Sequence, residues 1–139
     1  MRYAERGRFG SVPRMRATEP LLVLVVDDDE EIGAYLELAL ALDGHQVFRT
    51  SSPVLPAAPP SGFSLALVDL LLGRHDGVPV VAALVAAGVP VVATTGLAPE
   101  AYAVTQARQA GAASVLHKPF ELAELRRCVA THARRPANG

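Results

Sequence analysis

The sequence predicts an α/β protein built on a doubly wound, five-stranded parallel sheet with strand order 2-1-3-4-5. Three observations carry this. Apolar runs of strand length alternate with segments of helical periodicity along the chain. The first run, residues 21–26, is apolar on both faces, as a central strand covered on both sides must be. The second run, residues 45–50, alternates polar and apolar side chains, which suits the edge of a sheet.

Taken in order, strand 1 (21–26) leads into an acidic turn. Asp28 or Asp29 can cap the helix that follows, and Glu30 and Glu31 favour its positive end. Ile32, Tyr35, Leu36, Ala39 and Leu40 then recur at helical spacing until Gly44 stops the helix. After strand 2, Pro53 can start a helix, but Pro56 and the Pro59-Pro60 pair prevent a long one. The second helix is therefore expected to be short or distorted. Strand 3 (63–68) delivers Asp69, and a loop at 71–77 leads to an uncharged helix near 80–87, ended by Gly88. Strand 4 spans 90–95. Pro99 and Glu100 open a fourth helix that runs to about Gln109 and closes at Gly111. Strand 5 is 114–117, and the last helix, 121–132, carries Leu122, Leu125 and Val129 on one face. Right-handed crossovers complete the sandwich.

The chain of 139 residues, 50% hydrophobic, suits one domain with a real core, spanning 20–134 between a basic arm (1–19) and a short tail (135–139). Residues 1–18 hold five arginines against Glu5 alone, a balance of +4 that leaves −5 for the remainder. The arm also carries Gly7, Gly10 and Pro13 without apolar periodicity, and reads as a flexible segment, too sparse a basic patch to predict nucleic-acid binding. A single cysteine, Cys128, excludes an internal disulfide and fits a reducing compartment. No stretch approaches the roughly 20 apolar residues that span a bilayer, so a cytoplasmic location is expected and no membrane partner.

The chemistry lies at the strand ends. In an open parallel sheet, ligands bind at the carboxyl edge where strand order reverses. Asp27 and Asp28 follow strand 1 and Asp69 follows strand 3, neighbours about 4.8 Å apart, and Lys118 follows strand 5. Crowded carboxylates repel, and the pKa of at least one rises unless a cation joins them. Hard oxygen ligands describe a magnesium site. Asp69 is a competent nucleophile for phosphoryl transfer once the phosphoryl charge is matched, and Lys118 and the Thr95 hydroxyl can supply that match. Gly96 lets a backbone amide come close.

The motifs VVDDDEE (25–31), VDLLLGRHDG (68–77), PVVATTG (90–96) and SVLHKPF (114–120) make the chain resemble a response-regulator receiver domain of the CheY-like family, with its flavodoxin-like topology. The spacings, 41 residues from Asp28 to Asp69, 26 to Thr95 and 23 to Lys118, are domain-like. The resemblance implies a bacterial-type two-component phosphorelay protein with Asp69 as phosphoacceptor from a histidine kinase, a phosphotransfer protein or a small phosphodonor. It implies magnesium held by Asp28 directly, Asp27 largely through water, Asp69, and the backbone carbonyl of Leu71. Thr95 and Lys118 would bind phosphoryl oxygens, and the Lys118-Pro119 bond would be cis. Such a protein is not a metabolic enzyme; it catalyses its own phosphorylation and a slow autodephosphorylation. The few residues after the last helix imply a stand-alone receiver acting through protein contacts.

Departures from the family pattern bear on output rather than chemistry. The switch aromatic falls on Val115, the proline four residues past the phosphoacceptor is Gly73, and the proline-broken segment 53–60 shortens the second helix. Leu71 and Leu97 flank the site and govern water access. The alternative function is therefore a receiver-fold adaptor that binds partners without being phosphorylated. A haloacid-dehalogenase-like phosphatase would need a second Asp where Leu71 stands, and a nucleotide-binding domain would need a glycine-rich loop after strand 1. The uncharged helix 80–87 and the lightly charged helix 99–110 suggest a partner or self-association through the third to fifth helices.

Overall fold

The computed structural model describes residues 20–52 and 62–135. The expected basic arm, the proline-broken second helix and the last four residues of the tail lie outside the described residues.

Five parallel strands form one sheet: β1 (Leu22–Val26), β2 (Gln46–Thr50), β3 (Leu65–Asp69), β6 (Val91–Thr95) and β7 (Ser114–His117). Their order is β2-β1-β3-β6-β7, the order the sequence predicts. Two layers of helices cover it: α1 (Glu30–Leu42) and α4 (Leu122–His132) on one face, α2 (Val78–Ala86) and α3 (Tyr102–Gln109) on the other. The pleat divides the core between them. Val23, Val25, Leu65, Leu67 and Val92 pack with Leu36, Leu40 and Leu125; Leu24, Val26, Ala66, Val68 and Ala93 pack with Val81, Leu84 and Val104. β3 and β6 are buried along their whole length, whereas β2 is half exposed, as its alternation indicates.

Several boundaries move. Asp29, not Asp28, caps α1. α2 starts at Val78 with Pro79 in its first turn, where a missing N–H costs nothing, and α3 starts at Tyr102, two residues past Glu100. The expected loop at 71–77 contains a two-stranded antiparallel hairpin, β4 (Leu71–Leu72) with β5 (His75–Asp76). Its turn uses Gly73 at φ +61, which proline's fixed negative φ forbids, so the family's usual proline could not stand in this turn.

Long-range polar bonds set the helices on the sheet. Arg126 makes a two-pronged bond to Asp43 (both 2.9 Å), tying α4 to the end of α1. Arg134 reaches the carbonyls of Gly88 (2.7 Å) and Phe63 (2.8 Å). Cys128 is half-buried on α4. The uncharged α2 is a core helix: Val80, Val81 and Leu84 are buried and only Pro79 and small alanines face outward. The large exposed apolar side chains sit mainly elsewhere, with Tyr35, Leu38 and Leu42 aligned along α1 and Tyr102 alone on α3. No helix among the described residues is long and apolar enough to cross a membrane.

Candidate phosphoacceptor and metal site

Each functional side chain leaves the sheet at a strand end or within two residues past it. The Asp27 N–H still donates to the Thr50 carbonyl (3.0 Å), so the chain quits β1 while paired to β2. Asp27 Oδ1 accepts from the Asp29 N–H (2.9 Å), and Asp29 Oδ1 accepts from the N–H of Glu31 (2.9 Å) and Ile32 (3.2 Å). The acidic turn is thus also the helix cap. β3 ends on Asp69, whose Oδ1 accepts from the Leu71 N–H (3.2 Å). β6 ends on Thr95, in register with His117, and the Lys118 N–H donates to the Thr95 carbonyl (2.7 Å). The Lys118-Pro119 peptide is cis, as the resemblance implies.

These ends converge. Lys118 Nζ lies 3.0 Å from Asp27 Oδ2 and 3.3 Å from Asp69 Oδ2. One carboxylate oxygen from each of Asp27, Asp28 and Asp69 lies within 4.8 Å of the others. Asp27 and Asp69 are buried, while Asp28 is exposed and gives the cluster a carboxylate open to solvent. Thr95 is buried at the same edge, where its Oγ1 accepts from the Leu97 N–H (3.0 Å). Leu71 and Leu97 are both exposed beside this edge. Three clustered carboxylates, hard oxygen donors with one open to water, fit a small divalent cation that keeps part of its hydration.

Burial, and then the Asp27 charge, push the Asp69 carboxyl above its ordinary value, against the opposing pull of the Leu71 N–H and Lys118. For Lys118, burial works against its charge, but the bonds to and charges of Asp27 and Asp69 outweigh it and raise its pKa. A raised folded-state pKa in an acid means that stability falls as pH climbs from the unfolded carboxylate range through the folded value, and stays reduced above it. Asp69→Asn should therefore melt higher than the wild type at pH 7 in chelator, by about 1 kcal/mol or a few degrees. The gap should close as pH falls toward 4. Thermal melts at the two pH values check this, and a gap that widens in acid contradicts it.

Two contacts carry no sequence pattern of their own. Gly77 packs directly on the backbone of Asp69 and Leu70, and Gly73 brings the hairpin turn to the Asp28 carboxylate, where an added Cβ would lie 3.5 Å from Oδ2. Thr94, buried and in register with Asp69, accepts the Leu70 N–H through its carbonyl (3.0 Å).

The family description "response regulator receiver domain" matches residues 23–130. The chain belongs to the receiver domain family. Among solved receivers, a response regulator receiver protein from Burkholderia phymatum is 29% identical over 81% of this chain and 94% of its own, with a TM-score of 0.69. A response regulator from Burkholderia pseudomallei, whose structure holds a phosphorylated aspartic acid, calcium ion and citrate, is 26% identical over 76% of this chain and 64% of its own (TM-score 0.65). The receiver domain of a sensor histidine kinase from Pseudomonas aeruginosa PAO1, with magnesium coordinated in its active-site cleft, shares the fold at 24% identity, 81% and 97% coverage and a TM-score of 0.71. No curated protein matches the chain. Receiver domains serve phosphorylation-based signalling and interact with kinases or other signalling proteins, which is the class this chain joins.

Proposed function

We propose that this receiver accepts a phosphoryl group on Asp69, in a magnesium-dependent reaction, from a histidine kinase, a phosphotransfer protein or a small acyl phosphate, and signals through protein contacts. The observation that carries the reading is Lys118 Nζ bridging Asp27 and Asp69 beside an exposed Asp28. An Asp69 oxygen attacks phosphorus in line, the bond from phosphorus to the donor atom breaks, and an aspartyl phosphate forms. Lys118 exchanges its Asp69 contact for a phosphoryl oxygen, and the Thr95 hydroxyl donates to another. Asp27, Asp28, Asp69 and the Leu71 carbonyl would hold the magnesium ion, which when bound neutralises the incoming phosphoryl charge. Leu71 and Leu97 present no group that could orient an attacking water, which favours slow autodephosphorylation. The apolar stripe of Tyr35, Leu38 and Leu42 on α1 is the larger candidate contact for a protein donor; of α2, α3 and α4, only α3 offers a comparable side chain, Tyr102.

With magnesium and a radiolabelled acyl phosphate, the wild type should take up label and Asp69→Asn should take up none; wild-type labelling should fail in chelator. Label persisting in Asp69→Asn would name a different acceptor. One observation favours the adaptor reading. Val115 is half-buried against the α2–α3 face of the core, and a valine cannot report on Thr95 by swinging a ring inward. Magnesium-dependent binding of beryllofluoride, a phosphoryl mimic, separates the two readings, since a pure adaptor would bind none.

A further inference from the structure

Asp28 sits in a closed ring of contacts. On one side Asp27 N–H donates to the Thr50 carbonyl; on the other Glu30 Oε1 accepts from Arg49 Nη2 at 2.8 Å, and Arg49 and Thr50 are adjacent on β2. The four residues 27–30 are therefore bracketed by two bonds to neighbouring residues of one strand. Arg49 Nη1 extends the bracket two helical turns further, to Glu37 Oε1 at 3.1 Å. The guanidinium lies across Gly33, and a Cβ there would come within 2.9 Å of its Nε and Nη2. Glu30, Gly33 and Glu37 share one stripe of α1, at spacings of three and four, so one planar fork meets all three. A cleft lined by Asp27, Glu30, Glu37, Arg49, Thr50 and Ser51 opens along this side.

We infer that Arg49 is a positioning residue for the phosphoacceptor site: by holding the first two turns of α1 to β2 across Gly33, it fixes the turn that presents the Asp28 carboxylate. The inference rests on the metal-dependent reading above. Exposed ion pairs of this kind add little to stability, so the consequence of the clamp is geometric. Ligand presentation is sensitive to such geometry. Loss of a partner one shell out from a metal ligand commonly lowers metal affinity by about 10- to 100-fold, and Arg49, one shell further, should matter less.

Charge alone predicts the opposite sign, because deleting a cation beside an acidic cluster should tighten binding of another cation. Two variants of the full chain separate the ideas. Arg49→Ala removes the fork. Gly33→Ala leaves every charge in place, improves helix propensity and displaces the guanidinium, a flexible side-chain end that can move aside. By calorimetric titration with magnesium alone, both variants should bind about three- to tenfold more weakly than the wild type, with melting temperatures in chelator little changed for Arg49→Ala and unchanged or raised for Gly33→Ala. In acyl phosphate labelling both should need more magnesium for half-maximal uptake, yet reach the wild-type extent at saturation. The double variant should be no worse than Arg49→Ala, because the methyl group added at Gly33 then has nothing to displace. Tighter magnesium binding in Arg49→Ala, or wild-type affinity in Gly33→Ala, overturns the inference while normal wild-type labelling leaves the phosphoacceptor reading standing. A wild type that takes up neither magnesium nor label sinks that reading and this one with it.

Discussion

Lys118→Met should slow labelling of Asp69 by acyl phosphate about a hundredfold or more, the usual scale for losing one preorganised charge partner of a developing anion. It should also lower stability in chelator by about 2–4 kcal/mol at neutral pH, because a buried pair broken on one side leaves its partner uncompensated. Here the partners are two. Asp27 and Asp69 are both buried and share the single ammonium group at 3.0 and 3.3 Å. Methionine keeps much of the lysine stem's bulk, so packing loss contributes little and the effect isolates the charge. The two deficits should part company when magnesium is added. An ion among the carboxylates replaces the missing countercharge, so the variant should regain stability and gain more from magnesium than the wild type does. Its labelling should stay slow, since the cation that met the phosphoryl oxygens is still gone. Thermal melts with and without magnesium, alongside labelling time courses, decide the matter. Wild-type labelling would mean that Lys118 does not meet the phosphoryl group, and an unchanged melt in chelator that it does not balance the acids.

The parts of this arrangement that were legible in the sequence are those that local pattern dictates. Residues 21–26 announced a doubly covered strand because both faces are apolar, and β1 is buried from Val23 to Val26. The alternation at 45–50 placed β2 at the edge, and that single placement fixed the sheet order and made Asp27, Asp28 and Asp69 neighbours. The apolar helix at 80–87 was harder. With no polar face, its periodicity could not say which side is buried, and packing against β3 and β6 settled that it is core. The hairpin β4–β5 was not legible, because strands of two residues have no periodicity and the turn depends on the positive φ of Gly73. Nor was the Arg49 fork, whose partners lie 12 and 19 residues away and are drawn together only when α1 docks beside β2. The Lys118–Asp27 bond spans 91 residues and forms only once the whole sheet is assembled.

Gly77→Ala is the second change with a large expected effect, and it tests whether the loop after Asp69 holds the nucleophile by contact. Gly77 has φ −81 and ψ −13, which any residue adopts, so torsional strain is not the issue. The space is. A Cβ would overlap the carbonyl oxygen of Asp69 and press on Leu70 Cα at 2.9 Å and Asp69 C at 3.1 Å, all backbone atoms of the strand end itself. No rotamer relieves such an overlap. The Gly77 N–H donates to the Leu70 carbonyl (3.0 Å), and the Gly77 carbonyl accepts from Val80 (3.0 Å) and Val81 (3.1 Å), so yielding at this point moves α2 or the end of β3. Overpacking of this kind costs about 2–3 kcal/mol. Because the displaced atoms belong to Asp69, labelling should slow as well, at temperatures where the variant is fully folded. Gly73→Ala is the informative control. Its added Cβ meets only Asp28 Oδ2, at 3.5 Å, and its penalty is the torsional one at φ +61, about 1–2 kcal/mol, without pressure on the phosphoacceptor backbone. Gly77→Ala should therefore lose labelling rate out of proportion to its loss of stability, and Gly73→Ala should not. Equal ratios of rate loss to stability loss in the two variants would show that Gly77 serves the fold only and does not seat Asp69 for reaction.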